Sequence, residues 1–544
     1  MGRDKKSNLK NRNGGDKEQA SSHTWTLLLV LPLSIFVICN TGVNYCQEIG
    51  KTNGYNSSTV TAIKYVVIFG YFIGIIPAFL KEAIGQRTAL LIASALALIS
   101  FVGLGFVVEM KNQLGEILIF VFCFTAAVSG SIVTFISIIL TVYTHKKFPV
   151  FCIAMLFCYW KIAPDIEFSI KNSLFKEIKL KPYFIGKGIF LAILYGITAF
   201  QIYEIPRSVC MSMFNDTDTA KYCLYYLLIQ LLFIVSFYIT CITNEYFLIG
   251  TILFIVTLVI NFMLVILFRL KIREDSEASQ GSLRPKIVLY WKDFHMILCS
   301  GEYLSLAFGS LLILGSTYAF NSNIFKMTFA IEQTDSSENL AHTFWIIDIL
   351  GRFIGGLIFS ILSVIQRPTD WLRNTCMISV LGFGAAFLAN PLGSIFMYIS
   401  CILVALSSGV LWIGIPSCII EEIKDNFFVL RLGFIFFLSS IGMVIFDVFF
   451  YFIYEWQARN DSGKCIGENC TLIQLIAFTV SALLATVLFS YAPQNKLTGE
   501  KRGVKWDEET VIQKNSGVGK NERKNKSIGK SKLESRSKSR NSEE

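Results

Sequence analysis

Residues 87–108 read RTALLIASALALISFVGLGFVV, a run in which the only charged side chain is Arg87 at its start. A helix rises 1.5 Å per residue, so about 20 such residues cross the roughly 30 Å hydrocarbon core of a bilayer. Similar blocks recur along the 544-residue chain, of which 53% is hydrophobic and only 16% charged. Soluble globular proteins carry about 25% charged residues. The composition therefore predicts an integral, multi-pass membrane protein.

We interpret the apolar blocks as helices, because in lipid only a helix or a closed barrel satisfies every backbone polar group. The blocks are continuous rather than alternating, which argues against barrel strands. They predict an all-α polytopic membrane protein of about 12–14 spans, with fourteen favoured and twelve left open by an ambiguity at 148–204. The predicted spans are 24–46, 59–81, 87–109, 115–142, 148–164, 185–203, 222–243, 246–269, 297–320, 342–364, 373–390, 392–418, 428–453 and 471–491.

Charge in the loops predicts the orientation. The formal net charge is +10, and much of the basic excess lies in residues 1–22 and in the polar tail from 496 onward. Basic residues favour the cytosolic side, and Lys146, Lys147 and Arg367 fall on the same side as both termini. We therefore expect both termini in the cytosol, in either the plasma membrane or an internal membrane.

Polar features of the opposite side agree with this orientation. The glycosylation sequons at Asn56, Asn460 and Asn469 fall there, in a compartment that would be non-cytosolic. Cys465 and Cys470 lie there too, in a polar loop whose spacing can be closed by a turn, and we expect them to form a disulfide.

One stretch disagrees with the charge rule. Residues 171–187 are rich in lysine, yet the span count places them on the non-cytosolic side, while a fourth sequon at Asn215 falls inside. Either the block at 148–164 is re-entrant or the short sixth span is misjudged.

Several motifs recur in an order that resembles a known family. The second half reads EYLSLAFGSLLILGSTYAFNSNI, HTFWIIDILGRFIGGLIFS and RPTDWL, and its last loop is CIGENC. The first half contains GVNYCQEIGKTNGYNSSTV, GYFIGIIPAFL and GQRTALLIASAL. This pattern resembles the nodulin-like branch of the major facilitator superfamily, over roughly 25–110 and 290–490, with this chain as a divergent member.

The resemblance implies a transporter of two helical bundles that rock about a central site near the bilayer midplane. We expect the following organisation: a cytosolic basic segment at 1–23, a nodulin-like helical bundle at 24–269, a cytosolic linker at 270–296, a six-helix bundle at 297–491 and a disordered basic tail at 492–544.

Charges inside predicted spans are the strongest site candidates, since each costs about 2.5–3.5 kcal/mol at the bilayer centre and persists only with a partner, a hydrated cavity or a function. Asp348 and Arg352 are spaced i, i+4 and lie on one helix face. Gly351, Gly355 and Gly356 beside them allow a neighbouring helix to approach closely. This group predicts either a gating or packing ion pair or a direct solute or proton site.

Other polar groups complete the predicted transport path. Asp447 lies mid-span among apolar residues, and this placement predicts either a hydrogen bond within the bundle, to Ser439 or Ser440, or a carboxylate that titrates in the membrane. Lys64 is expected to extend outward to the headgroups. Glu302 either reaches headgroup water or couples a proton. The amide candidates are Asn40, Asn44, Asn321 and Asn323.

Other function classes find little support in the sequence. It has no HExxH motif, no phosphate-binding GxxxxGK[ST] loop and no GxSxG elbow, so we expect no enzyme, no cofactor and no metal. Two rival hypotheses are a multi-span enzyme using Asp370 and a sensor or scaffold using the basic tail. We expect the partners to be a small solute, a coupling proton and the lipid bilayer, with no nucleic acid, and the protein to be a monomer.

Overall fold

The fold is described from a computed structural model. The described residues are 45–144, 149–151, 153–154, 156–158, 160–161, 171, 178–201, 300–332, 337–361, 367–420, 428–458, 465, 467 and 469–492. The predicted span 24–46 lies outside them except for its last two residues. The predicted spans 222–243 and 246–269, both termini, the linker and the sequons at Asn215 and Asn460 also lie outside them.

Every element of the described residues is a helix. The bounds are α1 Cys46–Asn53, α2 Ser57–Tyr71, α3 Ile75–Ile84, α4 Gln86–Val107, α5 Gln113–Thr144, α6 Leu180–Gln201, α7 Gly301–Ser322, α8 Ile324–Glu332, α9 Ser337–Ile361, α10 Pro368–Leu392, α11 Ile395–Ile420, α12 Phe428–Ala458 and α13 Asn469–Ser490. A short apolar helix, Pro149–Cys158, follows α5.

The predicted spans agree with these helices. Among the described residues, 10 helices are long and apolar enough to cross a membrane. They match ten of the eleven predicted spans in this part of the chain, to within a few residues at each end. The eleventh, 148–164, is only partly described. The all-helical membrane fold is confirmed.

The second span is broken into α2 and α3. After Tyr71 the chain turns, with Gly74 N donating to Phe72 O at 2.6 Å. The break brings Gly74 against the backbone of α12: a Cβ added to Gly74 would lie 2.8 Å from the Cα of Gly433. Glycine is required at this crossing because the two backbones touch.

Ion pairs and hydrogen bonds show which helix ends lie together. Thr59 near the start of α2 donates to Glu116 near the start of α5 at 3.3 Å. Lys181 in α6 pairs with Glu109, just past α4, at 3.1 Å. We call this end of the bundle, where α2 begins and α4 finishes, the Asn56 end, and the opposite end the Arg367 end.

The described residues of the lysine-rich stretch, Lys171 and 178–187, lie at the Asn56 end, which argues against the re-entrant alternative for 148–164. α5 runs to the Arg367 end, and the chain has returned by Lys171, which pairs with Glu48 of α1. The lysines are stabilised at this end by ion pairs with carboxylates and by contacts with aromatic rings. Lys171 Nζ, for example, lies 5.7 Å from the ring centre of Tyr45.

The described helices form two halves, 45–201 and 300–492, that meet at two interfaces. At the first, α12 packs on α2 and α3. At the second, the segment 149–161 packs on α9, where Ala154 lies against Gly356. When the predicted spans are counted, the second span of each half meets the fifth span of the other. We call these the α2–α12 interface and the α9 interface.

Cys465 and Cys470 are joined by a disulfide, with their Cα atoms 5.7 Å apart. Gly467 between them has a left-handed φ of 107°, which suits glycine. Its N–H donates to Ala330 O of α8 at 3.0 Å. The disulfide loop therefore holds α8 at the Asn56 end.

Replacing both Cys465 and Cys470 by serine is expected to lower stability by about 2 kcal/mol, the chain-entropy value for so short a loop. Thermal unfolding of the purified protein measures this effect. Serine at the buried free Cys376 of α10 is the control. That variant keeps the disulfide and should still lose stability under reducing agent, whereas the variant without Cys465 and Cys470 should not respond. Free thiols on both loop cysteines in non-reducing mass spectrometry would contradict the pairing.

Candidate functional site

A buried arginine connects the two halves at the α9 interface. Arg352 and Asp348 are 3% and 1% exposed. Arg352 NH2 pairs with Asp348 Oδ2 at 3.1 Å, and NH1 donates to the Phe157 carbonyl of the other half at 2.8 Å. Arg352 therefore makes one contact within α9, to Asp348, and another with the other half of the protein, to Phe157.

A second cation and two indole rings surround this pair. Lys161 Nζ lies 3.5 Å from the same Asp348 Oδ2. The guanidinium carbon of Arg352 lies 5.6 Å from the ring centres of both Trp160 and Trp412. Such cation–π contacts stabilise a desolvated cation by about 2 kcal/mol or more. We call Asp348, Arg352, Lys161, Trp160 and Trp412 the Arg352 cluster.

Aromatic rings from both halves continue outward from this cluster. Trp160 and Trp412 meet edge to face at 5.1 Å. Phe72 lies 5.1 Å from Trp160 and 5.5 Å from Trp412. Phe436 of α12 lies 6.2 Å from Phe157. These rings join the two interfaces through one apolar layer, and charges in such a low-dielectric surrounding act on one another more strongly than in water.

The second charge cluster lies at the α2–α12 interface. Lys64 Nζ of α2 pairs with Asp447 Oδ2 of α12 at 3.1 Å, and Asn323 Nδ2 donates to Asp447 Oδ1 at 2.6 Å. Lys64 also donates to Ser322 Oγ and lies 5.6 Å from the centre of the Tyr318 ring. These residues form the Lys64 cluster.

The Lys64 cluster corrects two expectations. Lys64 does not extend to the headgroups, because a buried carboxylate on the other half offers a stronger partner. Asp447 does not bond to Ser439 or Ser440; Ser440 donates instead to Phe437 O in its own helix at 2.7 Å. A serine hydroxyl in a helix commonly bonds to a carbonyl of the preceding turn, which removes it as a partner.

The cluster includes the break between α7 and α8. Asn323, which separates the two helices, is 6% exposed. Its side-chain amide donates both to Ala319 O at 2.9 Å and to Asp447. Just past the break, burial lowers the pKa of Lys326 in α8, while Glu455 and Asp447 oppose that shift. Discontinuous helices of this kind position polar groups in transporters.

Comparison with solved structures decides the fold type. FucP, described as a major facilitator superfamily transporter in the outward conformation, matches with a TM-score of 0.51 and 13% identity, covering 87% of this chain and 100% of that chain. The proton:xylose symporter XylE bound to 6-bromo-6-deoxy-D-glucose matches with a TM-score of 0.52 and 11% identity, covering 87% of this chain and 96% of that one. The chain has the major facilitator fold.

No protein-family model and no curated protein matches the sequence. The structural neighbours of this major facilitator fold are transporters, not enzymes. Asp370, the residue of the rival enzyme hypothesis, pairs with Arg373 at 3.7 Å.

The predicted site residues separate into groups in this major facilitator fold. Asp348 and Arg352 share one cluster, and Asn323 and Asp447 share the other. Glu302 is exposed in the first turn of α7, and Asn321 is half-buried. Asn40 and Asn44 lie outside the described residues, as does the sequon at Asn460. Asn56 is an exposed N-cap that accepts a hydrogen bond from Thr59 N; Asn469 begins α13.

The glycines beside Arg352 lie at close crossings. A Cβ on Gly351 would lie 2.5 Å from Leu406 O of α11, and one on Gly355 would lie 3.1 Å from the Cα of Val410. Gly356 faces the other half, where an added Cβ would lie 2.5 Å from the Cβ of Ala154. α9 is therefore held closely on two sides.

Sequence reasoning missed four important members of the site, Lys64, Lys161, Trp160 and Trp412. The two lysines carried a usable signal, because a charge within a span needs a partner. The two tryptophans carried none, since aromatic residues are frequent in spans and their meeting depends on how the halves pack.

Proposed function

We propose that the protein is a secondary transporter of a small polar or organic solute, from the nodulin-like branch of the superfamily. The observation that carries the proposal is that each interface between the halves holds a buried charge cluster built from both halves. Static packing would be served as well by apolar side chains, which often stabilise as much as a buried ion pair does. Charges that must separate and re-pair suit a moving interface.

The mechanism is alternating access. The Lys64 cluster lies in the part of the α2–α12 interface nearer the Asn56 end, since Lys64 is in the first half of the span Ser57–Lys81 and Ser322 ends α7. Opening that end separates Lys64 from Asp447. The closely packed Gly74 and Gly433 lie nearer the Arg367 end and act as the pivot. Reclosure restores the ion pair.

A coupling proton is assigned to Asp447. Once Lys64 withdraws, Asp447 keeps only Asn323 among the partners described above, and a lone carboxylate in an apolar interface is expensive. A proton on Asp447 neutralises it, so proton uptake favours the open Asn56 end. Asp447→Asn would then remove the dependence on the proton gradient.

The proposed orientation places the Asn56 end away from the cytosol and both termini inside it. Support comes from the disulfide loop and the exposed Asn56 at that end. α6 ends and α7 begins at the Arg367 end, as two intervening spans at 222–269 require. We propose a monomer in the bilayer, with the domain limits predicted above.

Uptake into proteoliposomes tests the function. Purified protein is expected to accelerate entry of at least one member of a labelled panel of sugars, amino acids, organic acids and nucleosides, with a further rise under an inward proton gradient. Protein-free liposomes and the Asp447→Asn variant are the controls. Folded protein that moves nothing in the panel would refute the transport assignment.

A further inference from the structure

The Arg352 cluster contains a buried donor and a buried acceptor that are both unused. Arg352 Nε and Asp348 Oδ1 have no hydrogen-bond partner among the described residues. Both side chains are almost completely buried, at 3% and 1% exposure. Buried polar atoms are nearly always satisfied in proteins, and an exception calls for a specific explanation.

The geometry of Arg352 indicates what kind of group is missing. Trp160 and Trp412 lie over the guanidinium, and NH1 is taken by Phe157 O. The remaining edge, formed by Nε and NH2, is the fork that binds a carboxylate with two parallel hydrogen bonds. Asp348 uses only half of that fork, through Oδ2 to NH2.

A second cation gives Asp348 an alternative position. Lys161 Nζ already lies 3.5 Å from Asp348 Oδ2. If Asp348 turns to Lys161, the fork of Arg352 becomes free without leaving the carboxylate unpaired. Because both cations already lie near one oxygen of Asp348, this carboxylate can leave Arg352 for Lys161 at a small cost in free energy.

We propose that the transported solute carries a carboxylate, which displaces Asp348 from Arg352 while Lys161 retains Asp348. This rests on the transport function proposed above and names its substrate class. A neutral solute cannot make the same exchange, because Arg352 would lose its counter-charge in a low-dielectric site. A carboxylate replaces a carboxylate, so each cation keeps an anion.

The site also couples binding to movement of the halves. Arg352 and Asp348 belong to α9 in the second half, whereas Lys161, Trp160 and Phe157 belong to the first. A solute held by Arg352 beside Lys161 and Trp160 touches both halves at once. Its binding therefore favours one relative position of the halves over another.

The test compares lactate with lactamide, its neutral amide of nearly equal shape, on the full-length protein. Thermal stabilisation of the purified protein measures binding, and uptake into proteoliposomes measures transport. Lactate is expected to stabilise and to be taken up, and lactamide to do neither. Pyruvate and succinate with their amides extend the comparison to other carboxylates.

Variants separate a binding site from a structural ion pair. Arg352→Lys keeps the charge but loses the fork, and is expected to weaken lactate binding by about tenfold or more. Asp348→Asn removes the built-in competitor and is expected to retain or tighten that binding. If the pair is only structural, neither variant shifts the preference for acid over amide. Asp370→Asn at the exposed Asp370–Arg373 pair is the matched control.

The outcomes distinguish the two proposals. Uptake of neutral solutes with no response to any carboxylate would overturn the carboxylate assignment and leave the transport function standing. Equal stabilisation by lactate and lactamide would also overturn it. Absence of uptake for every solute of either panel would refute the transport function itself.

Discussion

Lys64→Met is expected to abolish most transport and to lower the free energy of unfolding by about 3 kcal/mol, the lower part of the range for breaking a buried ion pair. The loss arises because Asp447, with a side chain only 5% exposed, is left in the interface without its cation. Asn323 still donates to Asp447, but a neutral amide cannot replace the charge. Thermal unfolding in detergent and uptake by proteoliposomes measure the two effects.

The double variant Lys64→Met/Asp447→Asn separates the charge from the packing. Removing both partners leaves no buried charge, so most of the stability is expected to return. Transport and its proton dependence should remain impaired, because the separable pair is gone. Lys111→Met, at an exposed lysine, is the control. A double variant as unstable as Lys64→Met would show that the pair does not act as a unit.

Gly409→Val is expected to prevent α11 from packing on α9. A Cβ at Gly409 would overlap the carbonyl oxygen of Asp348 and lie 2.6 Å from Arg352 N. Both contacts are backbone atoms, which cannot rotate aside as a side chain can. Overpacking a well-packed core costs about 1–3 kcal/mol, and here it also displaces Arg352 from Trp412.

The matched control is Gly384→Val in the neighbouring helix α10, where an added Cβ meets nothing within 4 Å. Fluorescence-detected size exclusion and thermal unfolding compare the two variants. Gly409→Val should give aggregated or strongly destabilised protein, while Gly384→Val should resemble the parent. Equal behaviour of the two would mean that α9 and α11 are not as close as described.

The sequence predicted the spans well because the bilayer imposes one simple length rule. A run such as 87–108 must be helical and must be about 20 residues long. Local spacing also predicted Asp348 with Arg352, since residues four apart meet on any helix. The turn between Cys465 and Cys470 was also predictable locally, because the two cysteines are close in sequence and Gly467 lies between them.

Contacts between distant parts of the chain were beyond such rules. Lys64 and Asp447 are separated by 383 positions, and nothing local to either residue selects the other. The expectation for Asp447 failed because its partners, Lys64 and Asn323, lie on other helices, while Ser440 bonds within its own helix. The lysines of 171–187 were ambiguous because their partners, Glu48 and Glu109, lie in other elements.

The sequence by itself determined that this protein crosses the membrane repeatedly as helices, because hydrocarbon offers no partner to a backbone left unpaired. It also marked which charges need an explanation. Only the tertiary structure decided that those charges meet at the two interfaces between the halves. The physical reason is that lipid tails are as apolar as the helix surfaces, so hydrophobicity does not select neighbours; close glycine contacts, rings and buried charge pairs do.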